Sequence, residues 1–222
     1  MKTPLTFRDF RDQNAFSLVE VVAVLAILAT LLAVGVSLQG VNGGHSRKSA
    51  TDTLTGLIEQ ARTTAITSRS CIVLAIAEPG DLPGDDERCR IGLIKMESDQ
   101  WPDSTSSSLE LSGVLLNRWQ ALNGIVLIGG EVDGVVNPLD LPQVSITCKG
   151  AKTAVIRVHA IAFNCRGGLR HPSGSAPIAV RIAEGAYRGG KAVTNMRGGG
   201  KAIAENRLKI GRVTARPYRI DG

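Results

Sequence analysis

Aromatic residues make up only 4% of this 222-residue chain, so its core has to be built from Val, Ile, Leu and Ala. Chemistry-bearing residues are also sparse. The three histidines, His45, His159 and His171, stand at no metal-ligand spacing, and the four cysteines contain no CxxC pair of the kind that holds zinc or runs dithiol redox chemistry. There is no G-x-S-x-G, no H-E-x-x-H and no Walker-type loop. Gly198-Gly199-Gly200-Lys201 lacks both a following Ser or Thr and a preceding strand, so it reads as a flexible loop rather than a phosphate cradle. Asp81, Asp85, Asp86 and Glu87 do not follow the EF-hand spacing and read as a solvated acidic loop. These lacks leave no catalytic constellation: the expectation is a non-enzyme with no cofactor and no bound metal.

Charge is present but unevenly spread. Residues 1–150 hold 12 Lys+Arg against 17 Asp+Glu, whereas residues 151–222 hold 14 against 3. A basic C-terminal third fits either a solvated face or an anionic partner.

One long apolar run stands out. Phe16 to Leu38 is 23 residues with a single charge, Glu20, near its start. At about 1.5 Å per residue such a helix covers roughly 34 Å, enough for a bilayer core of about 30 Å. A secretory signal has a shorter apolar region, of about 7–15 residues, with its cleavage site on the far side. Here the candidate site, Ala15 before Phe16, lies on the near side. The leader carries Lys2, Arg8 and Arg11 against Asp9 and Asp12, and Arg47 and Lys48 follow the run, a balance that leans toward a cytoplasmic N-terminus.

Phe16-Ser17-Leu18-Val19-Glu20-Val21-Val22 resembles the prepilin signature of type IV pilins and type II secretion pseudopilins. The resemblance implies that a prepilin peptidase cuts between Ala15 and Phe16, that Phe16 is then N-methylated, and that the span stays as a helix. The family usually places Gly before the cut, where this chain has Ala15, and often a mid-span Pro, which this chain lacks. A carboxylate inside a membrane is costly and calls for a partner. Under the resemblance, Glu20 neutralises the Phe16 amine of a neighbouring subunit during assembly; the alternative is a carboxylate at the interface that reaches water. The implied organisation is a leader over 1–15, a membrane and assembly helix over 16–44, and a periplasmic domain over 45–222, single-pass in the bacterial inner membrane. The implied partners are other pilin or pseudopilin subunits, the prepilin peptidase, the inner-membrane assembly platform and membrane lipid.

Beyond the run, the pattern changes twice. Ala50, Leu54, Leu57, Ile58, Ala61, Ala65 and Ile66 recur at helical spacing, predicting an amphipathic helix from near Ser46 to about Ser68. Short strand patterns follow: Cys71–Ile76, Arg90–Lys95, Leu109–Leu116, Trp119–Leu122, Ile125–Ile128, Val144–Cys148, Ala154–Val158, Ala160–Asn164, Ile178–Ile182, Arg207–Ile210 and Arg212–Thr214. Gly185 to Lys201 reads as a glycine-rich basic loop. The fold class predicted is α+β, a long N-terminal helix leading to an amphipathic helix packed on an antiparallel sheet. A periplasmic setting makes disulfides available to Cys71, Cys89, Cys148 and Cys165. Three complete pairings exist; local Cys71–Cys89 and Cys148–Cys165 is the simplest, and buried unpaired thiols are the alternative.

Leu57–Ile66 followed by Cys71–Leu74, then Ile161–Gly167, then Gly211-Arg212-Val213, are similar to segments of H-type minor pseudopilins and FimT-like minor pilins. That resemblance implies a structural subunit of a filament in a type II secretion-like system. It also opens a second reading, a DNA-binding minor pilin of DNA uptake, with Arg207, Lys209, Arg212, Arg216 and Arg219 as the anion-binding residues. A third reading is an unprocessed, membrane-anchored periplasmic protein.

Overall fold

An alternation of buried and exposed positions at helical spacing after residue 43, and at strand spacing after residue 71, sets the architecture. The computed structural model describes residues 18–39, 43–82, 87–98, 101, 111–130, 134–149, 153–194 and 204–220, with side chains of the first helix described as far as Leu28. The chain divides into two compact units, Met1–Asn42 and Gly43–Gly222.

The first unit contains α1 (Leu18–Gln39), a helix of 22 residues. Leu, Val, Ile and Ala dominate it, and the chain places no proline or glycine before Gly35 that would break it. Among the described residues no helix is long and apolar enough to cross a membrane. The stretch Leu18–Leu28, where side chains are described, is by itself too short for a bilayer.

The second unit opens with α2 (Gly43–Ser68). Its buried stripe, Ala50, Leu54, Leu57, Ile58, Ala61 and Ala65, is the predicted one, but Ile66 remains 40% exposed. The helix ends at Arg69, which takes a left-handed φ of 49° and lets Ser70 N donate back to Ala65 O, a helix-terminating turn. Polar contacts fix its N-terminal half: Arg47 Nε lies 2.9 Å from Glu184 Oε1, and Asn206 Nδ2 donates to Thr51 Oγ1 at 2.9 Å.

Strands β1 (Ile72–Ala77), β2 (Arg90–Met96), β3 (Leu111–Leu115), β4 (Gln120–Ala121), β5 (Ile125–Ile128), β6 (Val144–Lys149), β7 (Ala154–Phe163), β8 (Leu169–His171), β9 (Ile178–Arg188), β10 (Lys191–Thr194), β11 (Glu205–Ile210) and β12 (Pro217–Ile220) follow. The first sheet corrects the expectation of a simple antiparallel sheet. β1 pairs with β2, β2 with β3, β3 with β6 in parallel, β6 with β7, and β7 returns to β1, so five strands close into a barrel. Gly113 of β3 sits opposite Met96 and Cys148, and Cys148 opposite Ala154, while Ile72 at the same end of β1 meets Phe163. The ring therefore closes with a stagger of about ten residues along β7, which tilts the strands strongly, and with only five strands the interior stays narrow. That stagger requires β7 to be a single long strand, where the sequence pattern showed two. The narrow interior takes small side chains: Val73, Ala75, Ala77, Ala160 and Ala162 line it with Ile94, Ile146 and Val158.

The other face of β1 carries Ile72, Leu74 and Ile76 into a second core, shared with α2 and the second sheet. Burial on both faces explains why Cys71–Ile76 is a continuous apolar run rather than an alternating one. In the second sheet β9 pairs with β5, β10 and β11, and β11 with β12. Gly185 was expected to begin a loop. It lies instead inside β9, where a Cβ would come 2.2 Å from Val193 O, so only glycine lets β10 approach. Arg212–Thr214 forms a turn rather than a strand, closed by Gly211 N donating to Arg216 O at 3.1 Å, and the last strand begins at Pro217 on the sheet's edge.

Candidate functional site

The N-terminal helix carries the chemistry legible in the sequence. Ala15 and Phe16 lie outside the described residues. Glu20 stands in the first turn of α1, where a carboxylate complements the positive end of the helix dipole, and it is exposed. Around it Leu18 and Val19 are 79% and 74% exposed, and Val21, Val22, Val24, Leu25, Ile27 and Leu28 are exposed as well. At 100° per residue these positions reach every face of the helix, so apart from Glu20 the stretch Leu18–Leu28 has no polar side to turn to water. A helix apolar all round belongs in a membrane or among other apolar helices.

The C-terminal cations do not converge. Arg212 turns inward: its guanidinium donates to Ala176 O at 2.6 Å, to Ser173 O at 3.0 Å and to Pro172 O. Burial lowers its pKa. Arg207 is held by Glu205, 2.7 Å away, which also receives Arg181 at 2.7 Å. Burial pushes the Glu205 carboxyl up, but the two guanidinium hydrogen bonds outweigh it and hold the carboxyl below its ordinary value. Lys209 lies 5.8 Å from the centre of the Tyr218 ring. In the β11–β12 register Arg207 faces Ile220 and Lys209 faces Tyr218, whereas Arg219 pairs with the buried Leu208. Arg219 thus projects on the opposite face of the sheet from Arg207 and Lys209. Arg216 is exposed at the end of the Gly211–Arg216 turn.

No disulfide joins Cys71, Cys89, Cys148 and Cys165 in the structure. Strand register excludes the local pairings. Cys71 and Cys89 flank opposite ends of the β1–β2 pair, about 20 Å apart at strand rise. Cys148 faces Ala154 at the start of the ten-residue β7 and Cys165 follows the other end of that strand, several strand spacings away round the ring. A disulfide needs Cα atoms within about 7 Å. Cys71 and Cys89 are buried, Cys148 is half-buried with its pKa raised by burial, and Cys165 is exposed.

Other polar groups brace the body. Tyr187 lies at the base of an open groove of about 500 Å³ that Arg88, Asn123 and Ile125 also line. Its hydroxyl accepts from Leu127 N at 3.3 Å, tying β9 to β5, and burial raises its pKa. His171 stacks on Trp101 with ring centroids 4.7 Å apart. Burial first, and the nearby Arg212 charge second, lower its pKa to about 4. Among the described residues no group of three or more His, Cys, Asp or Glu is arranged to hold a metal ion.

Sequence reading missed a contact between turns that are distant in the chain. The turn after β7 is built by Asn164, whose Oδ1 accepts from Arg166 N at 2.9 Å and Gly168 N at 3.1 Å. Gly167, at φ +79°, sits beneath Ile66 and Arg62 of α2, and Gly168 lies against Val213 O. Leu169 N donates to Arg212 O at 2.9 Å. The separated segments Ile161–Gly167 and Gly211–Val213 are therefore neighbours. Only their glycines hinted at the contact.

Comparison with known proteins bears on the N-terminal segment. Residues 10–36 match the family model described as the prokaryotic N-terminal methylation motif. The match spans Ala15, Phe16 and Glu20 and most of α1, and leaves the body outside it. The chain thus carries a type IV pilin-like prepilin signal, the mark of precursors that a prepilin peptidase processes and that assemble with other pilins. No curated protein and no solved structure matches the chain.

Proposed function

We propose that this chain is a minor pseudopilin-type subunit, cut between Ala15 and Phe16, N-methylated at Phe16, held in the inner membrane by α1 with its body in the periplasm, and drawn from there into a short filament of a type II secretion-like system. The observation that carries this reading is α1: a 22-residue helix apolar on every described face, with one exposed carboxylate in its first turn, inside the matched methylation motif. The apolar run Phe16–Leu38 in the sequence, which α1 largely covers, would span roughly 34 Å as a helix at about 1.5 Å per residue, the thickness of a bilayer core. An ionised carboxylate costs about 2.5–3.5 kcal/mol near the centre of a membrane helix and less toward the interface. Pairing with the Phe16 amine of an adjacent subunit offsets that cost only in the filament, which gives α1 a reason to leave the lipid. The body supplies a rigid cargo-facing or subunit-facing surface; its work is assembly and not catalysis.

The finer assignment to the H-type or FimT-like branch is supported by the contact between the Asn164–Gly168 and Gly211–Arg216 turns, which joins two segments that resemble that branch. Two of the five cations that the DNA-uptake reading relies on are engaged within the body, Arg212 with carbonyls and Arg207 with Glu205, so that reading is the weaker one. Glu20→Ala tests the role of the carboxylate. The variant is expected to insert and be processed normally, yet to be depleted from sheared filaments. Normal incorporation would remove the role assigned to Glu20.

A further inference from the structure

Three segments of the body meet around Gly167 and Gly168: the last turns of α2, the Asn164–Gly168 turn and the Gly211–Arg216 turn. They carry Arg62, Arg69, Arg166, Arg212 and Arg216, no lysine, and one acid, Glu59. Arg62 pairs with Glu59 at 3.5 Å and Arg212 is turned inward. Arg69, Arg166 and Arg216 are exposed. Arg69 precedes Ile72 by three residues, Arg166 follows Phe163 by three, and Ile72 and Phe163 are paired, so both cations crown the same end of the β1–β7 pair. The same segments carry two exposed aliphatic side chains, Ile66 at 40% and Val213 at 86%.

We propose that this end of the body is a docking surface for an acidic, partly apolar segment of another protein. The net positive charge selects an anionic occupant. The residue types then select its class. Protein interfaces are enriched in arginine and depleted in lysine, and the cations of these segments are arginine throughout. Ile66 and Val213 gain nothing from a sugar-phosphate backbone, but each can be covered by an apolar side chain. The three segments hold no aromatic residue on which a nucleobase would stack. The surface is also preorganised, which lowers the ordering cost of binding. The Arg212 clamp and the Gly168 contact fix the turn that presents Val213, and the Asn164 side chain fixes the turn that presents Arg166. The proposal concerns the body and does not depend on the reading of α1.

The test uses the full chain in detergent micelles and fluorescence anisotropy with three labelled probes: a short Glu/Asp/Leu peptide, its Gln/Asn/Leu counterpart, and DNA of similar charge. The acidic peptide is expected to bind with salt sensitivity, the neutral one at least about tenfold more weakly. Arg166→Glu with Arg216→Glu should weaken the acidic peptide about tenfold or more, and Val213→Ser several-fold, with unchanged thermal midpoints. Arg188→Glu, an exposed reversal elsewhere on the body, should change it by less than about twofold, which separates a site from net charge. No peptide binding at low salt, equal losses from Arg188→Glu, or DNA binding tighter than the peptide would each overturn the proposal.

Discussion

Replacing Arg212 distinguishes a structural clamp from a nucleic-acid contact. Its guanidinium donates to three backbone carbonyls, Pro172, Ser173 and Ala176, while its own carbonyl accepts from Leu169 N. Hydrogen bonds to a charged group each contribute about 1.5–3 kcal/mol. The three share one side chain, and the carbonyls are part-exposed, so water replaces some of what is lost. Arg212→Ala is therefore expected to cost about 2–4 kcal/mol, or roughly 5–15 °C in midpoint for a body of this size. Arg212→Lys should recover only part of this, because one ammonium cannot span three acceptors in the planar geometry of a guanidinium. Urea denaturation followed by tryptophan fluorescence is the assay, since Trp101 stacks on His171 beside the clamp. The Arg212→Ala variant should also let the His171 pKa rise, because the Arg212 charge is one cause of its depression. A stability within about 0.5 kcal/mol of the parent, the usual range for a surface substitution, would refute the clamp.

Two further outcomes follow from the packing and the charges. Gly185→Ala should destabilise by about 1–3 kcal/mol, since its Cβ would meet the Val193 carbonyl, whereas Gly56→Ala, in open space on α2, should stabilise by about 0.5–1 kcal/mol; paired thermal melts check both. For pH, His171 is neutral in both states above about 6.5; as pH falls from there toward about 4 the unfolded chain takes up a proton that the folded chain refuses, so stability drops across that window and His171→Phe should flatten the slope of stability measured against pH.

The sequence made α2 legible because its buried stripe keeps one helical period from Ala50 to Ala65, and it made β1 legible because a strand buried on both faces is a continuous apolar run. It did not reveal the barrel. Closure depends on the parallel β3–β6 pairing and the stagger along β7, which link residues distant in the chain and leave no local pattern. Gly185 misled for a physical reason: a glycine in a basic, glycine-rich stretch signals a loop, yet here it serves close approach between strands. The cysteine spacing suggested local bridges because sequence distance says nothing about which end of a hairpin a residue occupies. Arg212 was legible as a cation but not as an inward-turned one, since its acceptors lie some 40 residues earlier in the chain. Glu20 stood where the pattern placed it, in the first turn of an apolar helix.

The central claim is that processing removes the leader ahead of the opening helix, which stays on the chain and becomes an assembly element. Intact mass and N-terminal fragmentation of the protein extracted from membranes test it most directly. The account predicts a chain that begins at Phe16 with a methylated α-amine. A chain that retains Met1 and the residues up to Ala15 would contradict it.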